Sequence, residues 1–239
     1  MFVRRTLLAH PASQEGSTVA DGLLFVLSHP RDGDAAQFHD WYDTEHGPAR
    51  LALPGVRHGH RYHADDGAVP AWLAWYDLDL DVLHTSGYRR LRENRSAREA
   101  AVMAALEILQ RRVYVLRGDH GTPAASPPPF LLARSITIEP AREHDFDTWY
   151  TQEHIPALHR LPGWRRTRRY VLQDGDAPRF LALHELDHLD AFDTDAYRTA
   201  TSTPWRTEVM RHATADERRL FTHHATFHPG GTHAAEATR

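Results

Sequence analysis

The chain has 239 residues, of which 41% are hydrophobic and 25% charged, and a formal net charge of -4; such values exclude disorder of the whole chain and a nucleic-acid-sized basic surface. It holds no cysteine, which excludes disulfides, thiol nucleophiles and cysteine-held zinc or iron–sulfur centres. No apolar run approaches the roughly 18 residues of a membrane span, and MFVRRTLLAHPASQEGSTVA lacks the apolar stretch of a secretory signal, so a cytoplasmic protein without nucleic-acid or membrane partners is expected.

In chain order, residues 1–20 read as a loosely attached arm. GLLFVLSH is a short β-prone run, and an amphipathic segment starts near Asp34. Phe38, Trp41 and Glu45, then Tyr42 and His46, follow helical spacing, so WYDTEHGP, Trp41 to Pro48, is placed on the last turns of a helix. LPG turns the chain. VRHGHRYH and AWLAWYDL read as strands joined by the hairpin-type turn DDGAVP. The second of them is apolar on both faces, as a strand buried on both sides would be. A weakly patterned helix is expected over YRRLRENRSAREAAVMAALEILQ, and RRVYVLRG closes the set as a final strand.

The same order then repeats. His46 and His154 stand 108 residues apart (154 − 46), and this offset also aligns Trp41 with Trp149, Tyr42 with Tyr150, Glu45 with Glu153, Pro48 with Pro156, Gly55 with Gly163, Arg61 with Arg169 and Arg111 with Arg219. A gapless offset of about a hundred residues reads as a tandem duplication of a domain-sized unit rather than a solenoid. Residues 21–117 and 130–228 are the expected repeats. Residues 118–129, GDHGTPAASPPP, form a Pro/Gly-rich spacer, and residues 229–239 a tail. The order β-α-β-β-α-β is that of the ferredoxin-like unit. The predicted fold is therefore α+β: two tandem ferredoxin-like units packed sheet to sheet as an intramolecular α/β barrel, with a cavity expected in its interior.

FDTWYTQEHIPALHRLPGWRRTRRY, Phe146 to Tyr170, and FHDWYDTEHGPARLALPGVRHGHRY, Phe38 to Tyr62, resemble the dimeric α/β-barrel proteins, and within them the EthD-like branch. The resemblance covers both repeats, not the arm, the spacer or the tail. It implies a small-molecule enzyme: isomerase, cyclase, decarboxylase or dehydratase, or monooxygenase. Where such enzymes use no metal or cofactor, it implies pocket enclosure with His, Tyr or acid groups. It does not select the reaction. Tandem-barrel haem proteins are more distant relatives, which leaves a haem-dependent oxidoreductase as an alternative, and a non-catalytic small-molecule carrier as another.

His46 and His154 are the leading acid–base candidates, because imidazole titrates near neutrality. A histidine in a last helical turn would also interact favourably with the helix dipole. Tyr42 and Tyr150 are candidate donors to a carbonyl or phenolate; Trp41 and Trp149 are expected as aromatic walls. Arg61 and Arg169 share strand parity and could hold a carboxylate or enolate if their face lined the barrel. The repeats differ at Tyr76, which becomes His184, and at His58 and His60, which become Arg166 and Arg168. His58 and His60 share a strand face, but no recognised metal motif is completed, so no metal or cofactor is assigned. Tyr76, His184 and His60 join the expected substrate contacts. Pairing of two such chains into a homodimer stays open, because one chain already supplies both halves.

Overall fold

The computed structural model describes residues 21–227. The expected arm, 1–20, and tail, 229–239, lie outside them. Eight antiparallel strands close into one barrel in the order β1-β3-β2-β8-β5-β7-β6-β4: β1 (Asp21–Pro30), β2 (Val56–Ala64), β3 (Trp72–Asp79), β4 (Leu106–Gly121), β5 (Phe130–Ile138), β6 (Trp164–Asp174), β7 (Phe180–Leu186) and β8 (Ala213–Thr226). Within the first half the strands run β4-β1-β3-β2, and within the second β8-β5-β7-β6. Each is the ferredoxin-like arrangement that the element order predicts.

Two long strands join the halves. The start of β4 pairs with β1, and Val113 to Gly121 pairs with β6. Likewise β8 pairs first with β5, and then Phe221 to Thr226 pairs with β2. Each half's last strand outruns its own sheet and covers the edge of the other, so no unpaired edge remains among the described strands. Consequently β4 continues through Gly121, four residues into the stretch expected as a spacer, and begins at Leu106, so LEILQ is strand rather than helix. The expected single helix before it is two, α3 (Ser86–Glu93) and α4 (Ala97–Ala105). Thr85 and Ser96 cap them by accepting hydrogen bonds from the Tyr88 and Glu99 backbone N–H groups, which is the helix-starting role of these residue types. In the second half α7 (Asp195–Ala200) and α8 (Pro204–Met210) follow the same plan, with Thr203 as cap and Pro204 at the first helical position, where proline forfeits no hydrogen bond.

The repeated phrase lies on the last turns of a helical rod, as its spacing predicts, but the rod is not regular. α1 (Ala35–Trp41) passes through a widened turn, Tyr42–His46, into α2 (Gly47–Leu51), and α5 (Glu143–Trp149) passes through Tyr150–His154 into α6 (Ile155–Leu158). The Gly47 N–H reaches the Tyr42 carbonyl and the Ile155 N–H the Tyr150 carbonyl, one residue further back than in an α-helix. Pro48 and Pro156 explain the widening, since a proline lacks the N–H for an i−4 carbonyl and its ring crowds that carbonyl. His46 and His154 therefore sit just over one turn before the carbonyl end of each rod, which closes at Leu51 and Leu158.

Strand alternation sorts the sheet's two faces. Leu23, Phe25, Leu27, Tyr62, Leu73, Trp75, Tyr114, Tyr170 and Phe221 fill the barrel interior. That interior is a packed core with buried ion pairs, not the expected cavity: Arg168 lies 4.2 Å above the Trp75 ring and reaches Asp77 at 2.8 Å and Glu185 at 3.0 Å. The alternate residues, such as Leu24, Tyr76, Leu132 and His184, point outward beneath the helices. Strands β1, β3, β5 and β7 are thus buried on both faces, which is why they read as continuous apolar runs.

Candidate active site

Open space lies outside the barrel, between each half's helices and the outer face of its strands. In the second half, Trp149, Tyr150 and His154 from the α5–α6 rod stand over Leu132, Arg134 and His184 of β5 and β7, and α7, α8 and Arg218 of β8 close a cavity of about 190 Å³. Its first-half counterpart, about 130 Å³, lies under Trp41, Tyr42, His46, Tyr76 and Glu99. Of the residues singled out in the sequence, the structure thus brings Trp41, Tyr42, His46 and Tyr76 together in one niche, and Trp149, Tyr150, His154 and His184 in the other.

The widened turn sets the second niche. The His154 ring stacks on Trp149 at 4.6 Å and meets the Tyr150 ring edge-on at 5.0 Å. His154 Nδ1 is buried with no hydrogen-bond partner. Burial first, then the Arg206 and Arg134 charges, push the His154 pKa down to about 3. The ring is neutral at pH 7; a backbone hydrogen bond with Ala200 partly offsets the downward shift, and Nδ1 itself has no partner. Burial also raises Tyr150 to about 12, against the opposing pull of Arg169, Arg134 and Arg206, so the phenol keeps its proton.

A chain of side chains fixes what that phenol can do. His184 is fully buried and held well below its ordinary pKa, by burial first, and is therefore neutral. The Trp164 indole N–H, which can only donate, points at His184 Nδ1 at 3.3 Å. Nδ1 is thus the acceptor and Nε2 carries the hydrogen. Thr167 Oγ1 lies 2.9 Å from the same Nδ1 and 2.9 Å from His159 Nε2, consistent with His159 donating to Thr167 and Thr167 donating to His184. His184 Nε2–H then faces Tyr150 Oη at 3.4 Å. The phenol oxygen accepts from His184, leaving its own O–H to be donated into the cavity.

The first niche lacks this wiring. Its positions equivalent to Trp164, Thr167 and His184 are Val56, Gly59 and Tyr76. Gly59 leaves room for Phe227, which any side chain at Gly59 or Gly47 would strike. Phe227 lies parallel to Tyr42 and Tyr76, with ring centroids 5.9 and 5.7 Å away, and its N–H donates to the Gly59 carbonyl at 2.8 Å. The Tyr76 hydroxyl is buried without a well-formed hydrogen bond, beside Tyr42. His46 Nδ1 stands 3.4 Å from Glu99 Oε1, and burial with Arg50 holds it well below the usual histidine range.

Three expected contacts border neither cavity. Arg61 is 1% exposed, stacks over Phe38, Tyr42 and Trp72 within 5.0 Å, and pairs with Asp43 at 3.0 Å. Arg169 lies 4.6 Å over Tyr150 and pairs with Asp147 at 2.6 Å. Their parity is the helix side of the sheet, where they glue the rods down instead of lining the barrel. His60 has the opposite parity and turns into the core, 3.0 Å from Thr226 Oγ1. Among the described residues no group of three or more His, Asp or Glu side chains is placed to hold a metal ion. Sequence reasoning missed Arg134, Arg218, Trp164 and Thr167. The offset contained the clue, since it sets them against Val26, Gln110, Val56 and Gly59.

Fold and niches together define a dimeric α/β-barrel architecture carried by one chain. Similar solved structures are an anthrone oxidase-like protein (TM-score 0.64, 11% identity, 92% of this chain and 98% of that one), and a protein from Lactobacillus acidophilus NCFM provisionally described as a monooxygenase (0.58, 10%, 89% and 98%). A third is provisionally described as a chlorite dismutase (0.52, 15%, 85% and 94%). At such identities the likeness is one of fold. No family model matches the chain, and no curated protein matches its sequence.

Proposed function

We propose that the chain is a cofactor-independent enzyme of the EthD-like kind, acting on a small aromatic, lactone or polyketide-like molecule in the second-half niche. One observation carries the reading: a neutral imidazole with an unpartnered buried Nδ1 beside a phenol whose hydroxyl hydrogen is directed away from His184. A base next to an oxygen-directed donor is the equipment for removing a proton from carbon adjacent to a carbonyl or phenol. The C–H proton passes to His154, the electron pair moves onto the substrate oxygen, and Tyr150 O–H holds the resulting enolate. Returning the proton at another carbon isomerises the substrate; attack of the enolate carbon on a second carbonyl cyclises it; reaction with dioxygen as co-substrate oxygenates it. The fold's likeness to an anthrone oxidase-like protein supports an aromatic or polyketide-like body.

The tandem duplication, with repeats 21–117 and 130–228, belongs to the same proposal and rests on the 108-residue offset. Haem, the alternative implied by distant relatives, does not fit this niche, because a tetrapyrrole is larger than its cavity of about 190 Å³. The test is turnover of an anthrone or a comparable hydroxylated aromatic ketone by His154→Gln and Tyr150→Phe. General acid–base groups contribute roughly 10²–10⁴-fold, and losses of that size are expected. Undiminished turnover in His154→Gln overturns the proposal, and ligand binding without turnover by the unaltered chain favours a carrier.

A further inference from the structure

We infer that the second-half niche selects an organic anion: a small carboxylate or phenolate whose negative oxygen is held by Arg206 and Arg218 while its apolar body reaches Tyr150 and His154. The inference deepens the functional reading above and rests on that niche being a ligand site. Three arginines border the cavity, Arg134, Arg206 and Arg218, and no carboxylate does. Arg134 is already paired with Asp216 at 2.7 Å. Arg206 and Arg218 have no ion pair among the described residues, although most other arginines that approach the barrel do. Two cations beside a niche otherwise walled by Leu132, Ile136, Leu158 and Trp164 leave positive potential without an internal counter-charge. A guanidinium fork matches a carboxylate in shape as well as charge.

The first half carries its positive charge at other positions, with Arg50, Arg92, Arg95 and Arg111 bordering its niche. At the 108-residue offset Arg134 and Arg218 stand against the uncharged Val26 and Gln110, and Arg206 against Arg98, which is consumed by Asp40. Conversely, the first niche contains Glu99, whose counterpart is Thr207. The first niche's four arginines thus have one carboxylate among them, and the second niche's three have none. An arriving anion also has a chemical consequence. Burial is the first cause of the low His154 pKa and Arg206 the second; a ligand that neutralises Arg206 brings an opposite charge near the ring, which favours the protonated imidazole, so the base strengthens when substrate is bound.

The test is calorimetric titration of the full chain with salicylate and with salicylamide, its neutral counterpart of nearly the same shape. A preference of about tenfold or more for salicylate is expected, falling at higher salt, as charge-assisted recognition at a partly open site requires. The double variant Arg206→Gln/Arg218→Gln lowers the preference to about threefold or less, while Arg98→Gln in the first half leaves it intact. Equal binding of the two compounds, binding of neither, or a preference that survives the double variant overturns the inference. His154→Gln separates the two proposals: it is expected to keep the salicylate preference while turnover falls, whereas lost preference with intact turnover would count against the anion alone.

Discussion

Tyr150 Oη lies 3.4 Å from His184 Nε2, and the indole of Trp164 on the far side of that imidazole decides which of the two donates. Because an indole nitrogen cannot accept, His184 must present its hydrogen to the phenol, and the phenol must present its own to the cavity. Replacing His184 by Phe removes that direction and strands the Thr167 hydroxyl and the Trp164 N–H. The expected stability loss is about 1–3 kcal/mol, the cost of a buried unsatisfied polar group, read from urea unfolding. In steady-state kinetics kcat falls while KM stays near its original value, because His184 acts through Tyr150 and does not line up the substrate itself.

The buried histidines predict acid sensitivity. The folded pKa of His154 is about 3 and that of His60 about 4, both below an unfolded value near 6.5. The unfolded chain therefore binds protons first as the pH drops. Stability from this source is complete above about pH 6.5 and is lost progressively toward pH 3, at up to about 1.4 kcal/mol per pH unit for each such histidine. Denaturant melts from pH 7 to pH 4 should show this slope, and His154→Gln should make it shallower by about one histidine's share. An unchanged slope in that variant would show that His154 takes up its proton in the folded state.

Arg61 holds a rod to the sheet and borders neither cavity. Its guanidinium is stacked among three rings and paired with Asp43, so Arg61→Met is expected to destabilise by about 3–5 kcal/mol, as removal of one member of a buried pair does. The urea midpoint reads this. A variant as stable as the parent chain would show that the stack contributes nothing.

Phe227 fills the place that Thr167 and its network occupy in the other half. Phe227→Ala should cost about 3–5 kcal/mol, as deletion of a buried phenylalanine typically does, and leave a void beside Tyr42 and Tyr76. Titration with a small apolar probe such as benzene should reveal a new binding site in that variant. No gain in probe binding would mean that the two tyrosines collapse into the space.

The architecture was legible because it depends on local pattern. Strand runs, turns and the 108-residue offset, repeated through Trp41/Trp149 and His46/His154, specify two ferredoxin-like units, and two open sheets in one chain have an obvious way to bury their free faces. The grouping of Trp, Tyr and His in each niche was legible for the same reason, since these residues share one helical rod. The widened turn was missed, although Pro48 and Pro156 stand where an ordinary turn needs an N–H.

Tertiary structure alone decided which side of the sheet holds the open space. In β1, β3, β5 and β7 both faces are apolar, so alternation carries no mark telling barrel interior from helix side. Arg61 and His60, one residue apart, were both read as contacts, yet consecutive strand residues face opposite ways, and neither reaches a cavity. The barrel filled with side chains and the open space fell outside it. Only there do Trp164, Thr167, His184, Arg206 and Arg218, spread over four elements, converge on Tyr150 and His154. Residue types and spacing along one strand or helix are properties of the chain; which donor meets which acceptor across strands is set by how the closed sheet and its helices bury their surfaces against one another.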